Sequence, residues 1–157
     1  MKPVENFINT HVFNLNVNSS KEPEFIDITT RVKECLKNSG VLNGFVVVFS
    51  KHTTAAIIIQ ENEPLLLEDM SEMLRRMAPK HLSYKHNDFS VRTVNMHEDE
   101  CPNGHSHCQH LALGSSEFIP VIDGKLALGN WQSIFMVELD EKAPVPHREI
   151  LVQILGS

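Results

Sequence analysis

The chain has no apolar run of ~18 residues, the length a helix needs to cross a bilayer, so no transmembrane helix is expected. The opening MKPVENFINTHVF has no apolar segment of the kind a secretion signal carries, so export by that route is not expected either. Cysteine is scarce. Cys35, Cys101 and Cys108 are odd in number and show no CxxC spacing, which argues against a disulfide framework and fits a reducing cytoplasm. Positive charge is in deficit. Fourteen Lys and Arg stand against twenty Asp and Glu, and the net charge of -6 argues against a broad nucleic-acid surface. There is no internal repeat, no low-complexity tract, no Gly-rich phosphate loop and no activated Ser or Cys motif. A covalent nucleophile is therefore not expected. What remains is an ordinary globular composition, 41% hydrophobic and 22% charged, over 157 residues. That suits one domain spanning 1–157 with a single sizeable core.

Histidine is what stands out: there are nine, and six lie between His81 and His110. The stretch PNGHSHCQH holds His105, His107 and His110. On a strand His105 and His107 share a face, and on a helix His107 and His110 do, so no regular element points all three one way. This stretch alone is not a three-histidine metal site, and it lacks the HExxH spacing. It can donate one or two ligands and needs others from elsewhere.

The surrounding pattern says what could complete it. Phe13, Leu15 and Val17 alternate with asparagines in VFNLNVN, a half-exposed strand. In FIDITTRVKECLKNSG, Asp27 is placed to cap a helix whose inner face carries Ile28, Val32, Cys35 and Leu36, and Gly40 ends it. Cys35 reads as core. GFVVVFS and TAAIIIQ are continuous apolar runs, as central strands covered on both faces would be. Pro64 opens a second helix with a core stripe of Leu66, Met70, Met73, Leu74 and Met77, and Asp69 on its flank. Residues 79–104 form a long polar connection, a length that is usually functional or disordered. GHSHCQHLALG reads as a short helix, SEFIPVIDGKLALG as a hairpin closed at Asp123-Gly124, and GNWQSIFMVEL and REILVQILG as closing strands. The fold class is α+β: a single domain with a largely antiparallel β-sheet and two principal helices.

Candidate site residues follow from these placements. His52 stands at the end of an apolar strand with Thr53 and Thr54 beside it. Asn62 lies at a helix entrance, as an N-cap or as a site residue. His86 comes from the long connection, and Arg148 near a strand start can meet a phosphate. Glu98, Asp99 and Glu100 read as a solvated acidic run. Trp131 reads first as core, although Gly129 and Gln132 beside it hint at close backbone approach. A His-rich pocket with a carboxylate suits Zn, and a carboxylate and hydroxyl pocket suits Mg on a substrate phosphate.

Taken in order, HTTAAIIIQENE, Asp69, YKH, NGHSH, LGSS and GNWQ resemble the YjbQ family, of the secondary thiamine-phosphate synthase type. The resemblance runs from about residue 9 to Gly156. It matches His52, Thr53 and Ala55, then Asn62 and Glu63, Asp69, Tyr84 and His86, His107, Gly114, Gly129, Trp131, Gln132 and Arg148. Asn130 stands where the family pattern has threonine.

The resemblance implies an α+β fold that assembles as a homotrimer. It also implies a weak transferase activity that joins a pyrimidine methyl diphosphate to a thiazole phosphate and releases pyrophosphate. The expected catalytic residues are His52, Asp69, His86 and His107. Thr53, Asn62, Tyr84, Trp131, Gln132 and Arg148 are expected to bind substrate, and His52, His86 and His107 a divalent metal, Mg or Zn. Two other readings stay open: a metal-dependent hydrolase, and a non-catalytic metal- or metabolite-binding trimer.

Overall fold

Alternation of buried and more open residues along the strands of the larger sheet, and apolar runs in the smaller one, build two antiparallel sheets that share one core. The structure, a computed structural model, describes residues 8–140 and 147–157. The expectation about the opening segment falls partly on residues 1–7 and to that extent lies outside them. The five-stranded sheet has the order β1 (Asn9–Val17), β8 (Arg148–Gly156), β3 (Gly44–Ser50), β5 (Ser116–Ile122), β6 (Lys125–Leu126). The three-stranded sheet has the order β2 (Glu24–Asp27), β7 (Gln132–Glu138), β4 (Ala55–Glu61). Every pairing is antiparallel. No helix among the described residues is long and apolar enough to cross a membrane.

Val46, Val48, Val152 and Ile154 of the larger sheet meet Ile57, Ile134 and Met136 of the smaller one. Helix α1 (Thr29–Ser39) adds Val32, Cys35 and Leu36 to that core, and Gly40 ends the helix at φ 72°. The opposite face of β7 carries Phe135 and Val137. These pack with Ala56, Leu139 and Leu74 of helix α2 (Pro64–Met77) into a second cluster. Because side chains alternate along a strand, β7 serves both clusters and is buried from Ile134 to Glu138. The turn between β5 and β6 has positive φ at Asp123 and Gly124, as a two-residue hairpin turn demands.

Several expectations change. Segment EFID forms β2 before any helix begins, and Ile28, not Asp27, is the N-cap residue of α1. Asp27 still serves the helix start, since its Oδ1 accepts the Thr29 N–H at 2.8 Å. β4 is an edge strand of its sheet. It reads as a continuous apolar run because Ala55, Ala56 and Ile57 pack into both clusters. Of the stripe proposed for α2 only Leu74 is buried, and Met73 is 51% exposed. The inward positions are Leu67 and Leu74, seven residues apart, so a narrow seam meets the sheet. Asn62 is not the cap of α2, because Glu63 takes that place and its carboxylate accepts the N–H groups of Leu65 and Leu66. Trp131, expected in the core, is 75% exposed.

Candidate functional site

The histidine-rich stretch is a third helix, α3 (Gly104–Leu113), and its start is fixed from the long connection before it. Asn87 Oδ1 accepts the Gly104 N–H at 2.9 Å. The Tyr84 side chain lies so close that a Cβ on residue 104 would stand 2.6 Å from Tyr84 Cβ. Glycine is therefore the residue that fits, and the Tyr84 hydroxyl donates to the Pro79 carbonyl at 2.9 Å. Gln109 ties the helix to the end of α2 by donating to the carbonyls of Leu74 and Ala78. With α3 held this way, its histidines part company. His105 is buried, with Nε2 3.3 Å from the Glu22 carboxylate, and His110 Nε2 lies 3.2 Å from Ser115 Oγ. Of the three, only His107 lines the cleft beside Lys51–Thr54 and Arg148.

That cleft has a volume of about 480 Å³, the size of a small-molecule pocket. One wall comes from the segment Lys51–Thr54 between β3 and β4 and from Arg148 at the start of β8. Arg148 is 4% exposed and forms a two-point pair with Glu138, Nε to Oε2 at 2.7 Å and Nη2 to Oε1 at 2.6 Å. Its Nη2 also donates to Thr54 Oγ1 at 3.1 Å. Glu138 is saturated by further donors: Ser19 Oγ and the N–H groups of Leu139 and Asp140. His52 Nε2 accepts the Glu149 N–H at 2.8 Å, and burial first, then the Arg148 charge, hold its pKa down.

His86 and His107 line the same cleft, and their rings meet edge to face with centroids 4.6 Å apart. Burial, then His86, pushes the pKa of His107 down. His86 Nε2 is buried and has no hydrogen-bond partner among the described residues. Asp140 lies near enough to His107 to oppose that shift, and it accepts from Asn103 Nδ2 at 2.8 Å.

Arg92 organises the long connection. It donates to the carbonyls of His86, Val94 and Asn95 and pairs with Glu100 at 3.4 Å. Glu100 is thus no solvated charge, and Asp99 and Glu100 both line the cleft.

The structure therefore brings His52, Thr53, His86, His107 and Arg148 to one cleft. It does not bring Asn62, Asp69, Tyr84, Trp131 or Gln132 there within the chain. Asn62 Nδ2 donates to Asp27 Oδ2 at 2.9 Å, Asp69 is exposed on α2, and Gln132 Oε1 accepts the Gly129 N–H at 2.8 Å. The sequence reading missed Arg92, Asn103, Glu138 and Asp140. Glu138 and Asp140 had one usable signal: charged residues closing an apolar run, a position where burial demands a partner.

A metal has a partial fit. Among the described residues no group of three or more His, Cys, Asp and Glu is arranged to hold an ion. His86 and His107 offer imidazole donors at one place, and the unpartnered His86 Nε2 suits a ligand atom. His52 lines the same cleft with Nε2 engaged by a backbone N–H.

The family model described as UPF0047 protein YjbQ-like matches residues 13–157. A UPF0047 protein of Methanothermobacter thermautotrophicus is 39% identical over 151 residues, covering 96% of each chain. One of Archaeoglobus fulgidus is 36% identical, covering 80% of this chain and 89% of that one. Among solved structures, a Sulfolobus solfataricus protein described as YbjQ-like and of unknown function superposes with a TM-score of 0.85. It is 34% identical, over 96% of this chain and all of that one. A YjbQ/UPF0047 protein of Clostridium acetobutylicum gives a TM-score of 0.76 at 35% identity, over 90% of this chain and 98% of that one. With a match over nearly the whole length in sequence and in fold, the chain belongs to the YjbQ-like UPF0047 family.

Proposed function

We propose that the cleft is a transferase site of the thiamine-phosphate synthase type, acting on small phosphorylated metabolites. The carrying observation is one cleft lined by two unlike groups: His52, Thr54 and Arg148, and the ring pair His86 and His107. In this reading the C–O bond of a pyrimidine methyl diphosphate breaks, and its electron pair leaves with pyrophosphate. The thiazole nitrogen then gives its lone pair to the methylene carbon. No proton has to move and no covalent enzyme intermediate forms, so the protein's part is positioning and charge stabilisation. Arg148 and His52 hold the leaving group, and Thr53 lies on the same wall. His86 and His107 are the residues that would hold a divalent metal. When bound, such an ion supplies charge neutralisation of the diphosphate, and imidazole donors favour Zn over Mg.

The presence of Asp99, Glu100 and Asp140 around the histidines favours a second reading, metal-dependent hydrolysis of a phosphorylated substrate. We further propose a homotrimer. Leu65, Met73, Met77 and Trp131 are large apolar side chains left open on α2 and before β7, as at an association surface. The trimer would also offer a route by which Asn62, Asp69, Trp131 and Gln132 reach a cleft, that of a neighbouring chain.

The test is to incubate the purified chain with both thiamine precursors, with Mg or with Zn, and to measure thiamine phosphate by fluorescence after oxidation. Product that disappears in a folded His107→Ala variant supports the transferase reading. No product, together with phosphate release from a simple ester in Zn alone, moves the assignment to hydrolysis. Light scattering gives the mass of the assembly, and a monomer mass ends the trimer proposal.

A further inference from the structure

A neutral imidazole carries one N–H, and in His52 a backbone group decides where it is. The Glu149 N–H can only donate, and it stands 2.8 Å from His52 Nε2. Nε2 must therefore present its lone pair, and the proton sits on Nδ1. A protonated ring would set two N–H groups against each other at that distance, so the neutral form is the one that fits.

Nδ1 lies 3.5 Å from Arg148 Nη1. Nη1 also only donates, so neither group satisfies the other. The rest of the guanidinium is engaged: Nε and Nη2 with Glu138, and Nη2 with Thr54. Glu138 cannot serve Nη1 as well, because its oxygens already take donors from Ser19, Leu139 and Asp140. The pair of unmet donors belongs to two residues that line the cleft, one of them 4% exposed and rigidly held. Two fixed N–H donors side by side, one of them charged, make a seat for an oxyanion.

We propose that His52 Nδ1 and Arg148 Nη1 form a built seat for a phosphate or diphosphate oxygen, with His52 as a tautomer-locked donor and not as a metal ligand or proton acceptor. Glu149 is then a positioning residue, acting through its backbone N–H. Lys51, whose Nζ pairs with Glu149 at 2.6 Å, stands at the rim. The inference deepens the transferase reading by locating the anionic end of the substrate, and rests on that reading for which phosphorylated molecule it is.

The experiment uses the full chain labelled with ¹⁵N-histidine, in chelator so that no metal takes part. Long-range ¹H–¹⁵N spectra report the tautomer of each ring before and during titration with pyrophosphate, with inorganic phosphate and acetate as separate arms. The expected result is a Nδ1–H tautomer for His52 in the free protein and a saturable shift of that nitrogen with pyrophosphate. His52→Ala should weaken pyrophosphate binding about tenfold or more, the worth of a hydrogen bond to a charged group. His81→Ala, at an exposed position outside the cleft, should leave it nearly unchanged.

A Nε2–H tautomer in the free protein overturns the proposal. So does a titration in which His86 and His107 move and His52 does not, or one with no saturable shift. Acetate binding as tightly as pyrophosphate overturns the phosphate assignment. The tautomer and the shift are read on the unaltered chain, so they stand whether or not the variant folds. Lack of thiamine phosphate formation beside retained His52-dependent pyrophosphate binding would sink the transferase reading and leave the seat.

Discussion

The Arg148 guanidinium meets the Glu138 carboxylate at two points, 2.7 and 2.6 Å, with both side chains shut away from solvent. Removing either partner strands a buried charge. Arg148→Leu is therefore expected to lower unfolding stability by about 3–5 kcal/mol, because Glu138 loses its counter-charge while remaining buried. The double change Arg148→Leu with Glu138→Leu should recover much of that loss. Urea unfolding of the unaltered chain and the two variants at pH 7 measures it. A loss below about 1 kcal/mol in the single variant would mean that the pair is not what holds this wall.

Arg92 is expected to govern the long connection. With three backbone carbonyls and Glu100 depending on it, Arg92→Gln should speed amide hydrogen exchange from about residue 86 to residue 100. Exchange in β7 and β8 should stay as it was. Uniform acceleration across the sheets would contradict a local role.

Gly104→Ala forces a methyl group into the Tyr84 side chain, 2.6 Å from its Cβ. Overpacking of this kind costs about 1–3 kcal/mol. Tyr84→Phe keeps the ring and loses only the bond to Pro79, which costs about 1 kcal/mol. Thermal unfolding of both variants should rank glycine above tyrosine in sensitivity. The reverse order would show that the hydroxyl matters more than the contact.

Stability should fall on mild acidification. Burial holds the pKa values of His52 and His110 below the ordinary 6.5, in His52 with help from Arg148. The unfolded chain then binds protons that the folded chain refuses. The stabilisation is complete above the unfolded value of about 6.5 and is lost as pH falls through the lowered folded values. The melting temperature should drop between pH 7.5 and pH 5.5, and less so in a folded His110→Gln variant. A flat profile across that window would refute the shifts.

Local pattern made much of the fold readable. Alternation in VFNLNVN, the Asp-Gly turn, Pro64 at a helix start and Gly40 at a helix end are signals carried by a few neighbouring residues, and each appears where the pattern put it. β2 was hidden because four residues are too few to show a period, and the α2 stripe was too wide because period alone cannot say how much of a helix meets a sheet. The order of motifs placed the chain in its family.

Site membership was another matter. His52, His86, His107 and Arg148 come from four separate parts of the chain, and sheet pairing with the Arg92-held connection makes them neighbours. His105, His107 and His110 look alike in sequence, yet one meets Glu22, one the cleft and one Ser115. Which nitrogen of His52 carries its proton is set by Glu149, ninety-seven residues away. Residue type and spacing determined the elements, since hydrogen bonding and side-chain period act over a few positions. Partners and protonation were decided by the tertiary structure, since burial and charge act through space between residues the chain keeps far apart.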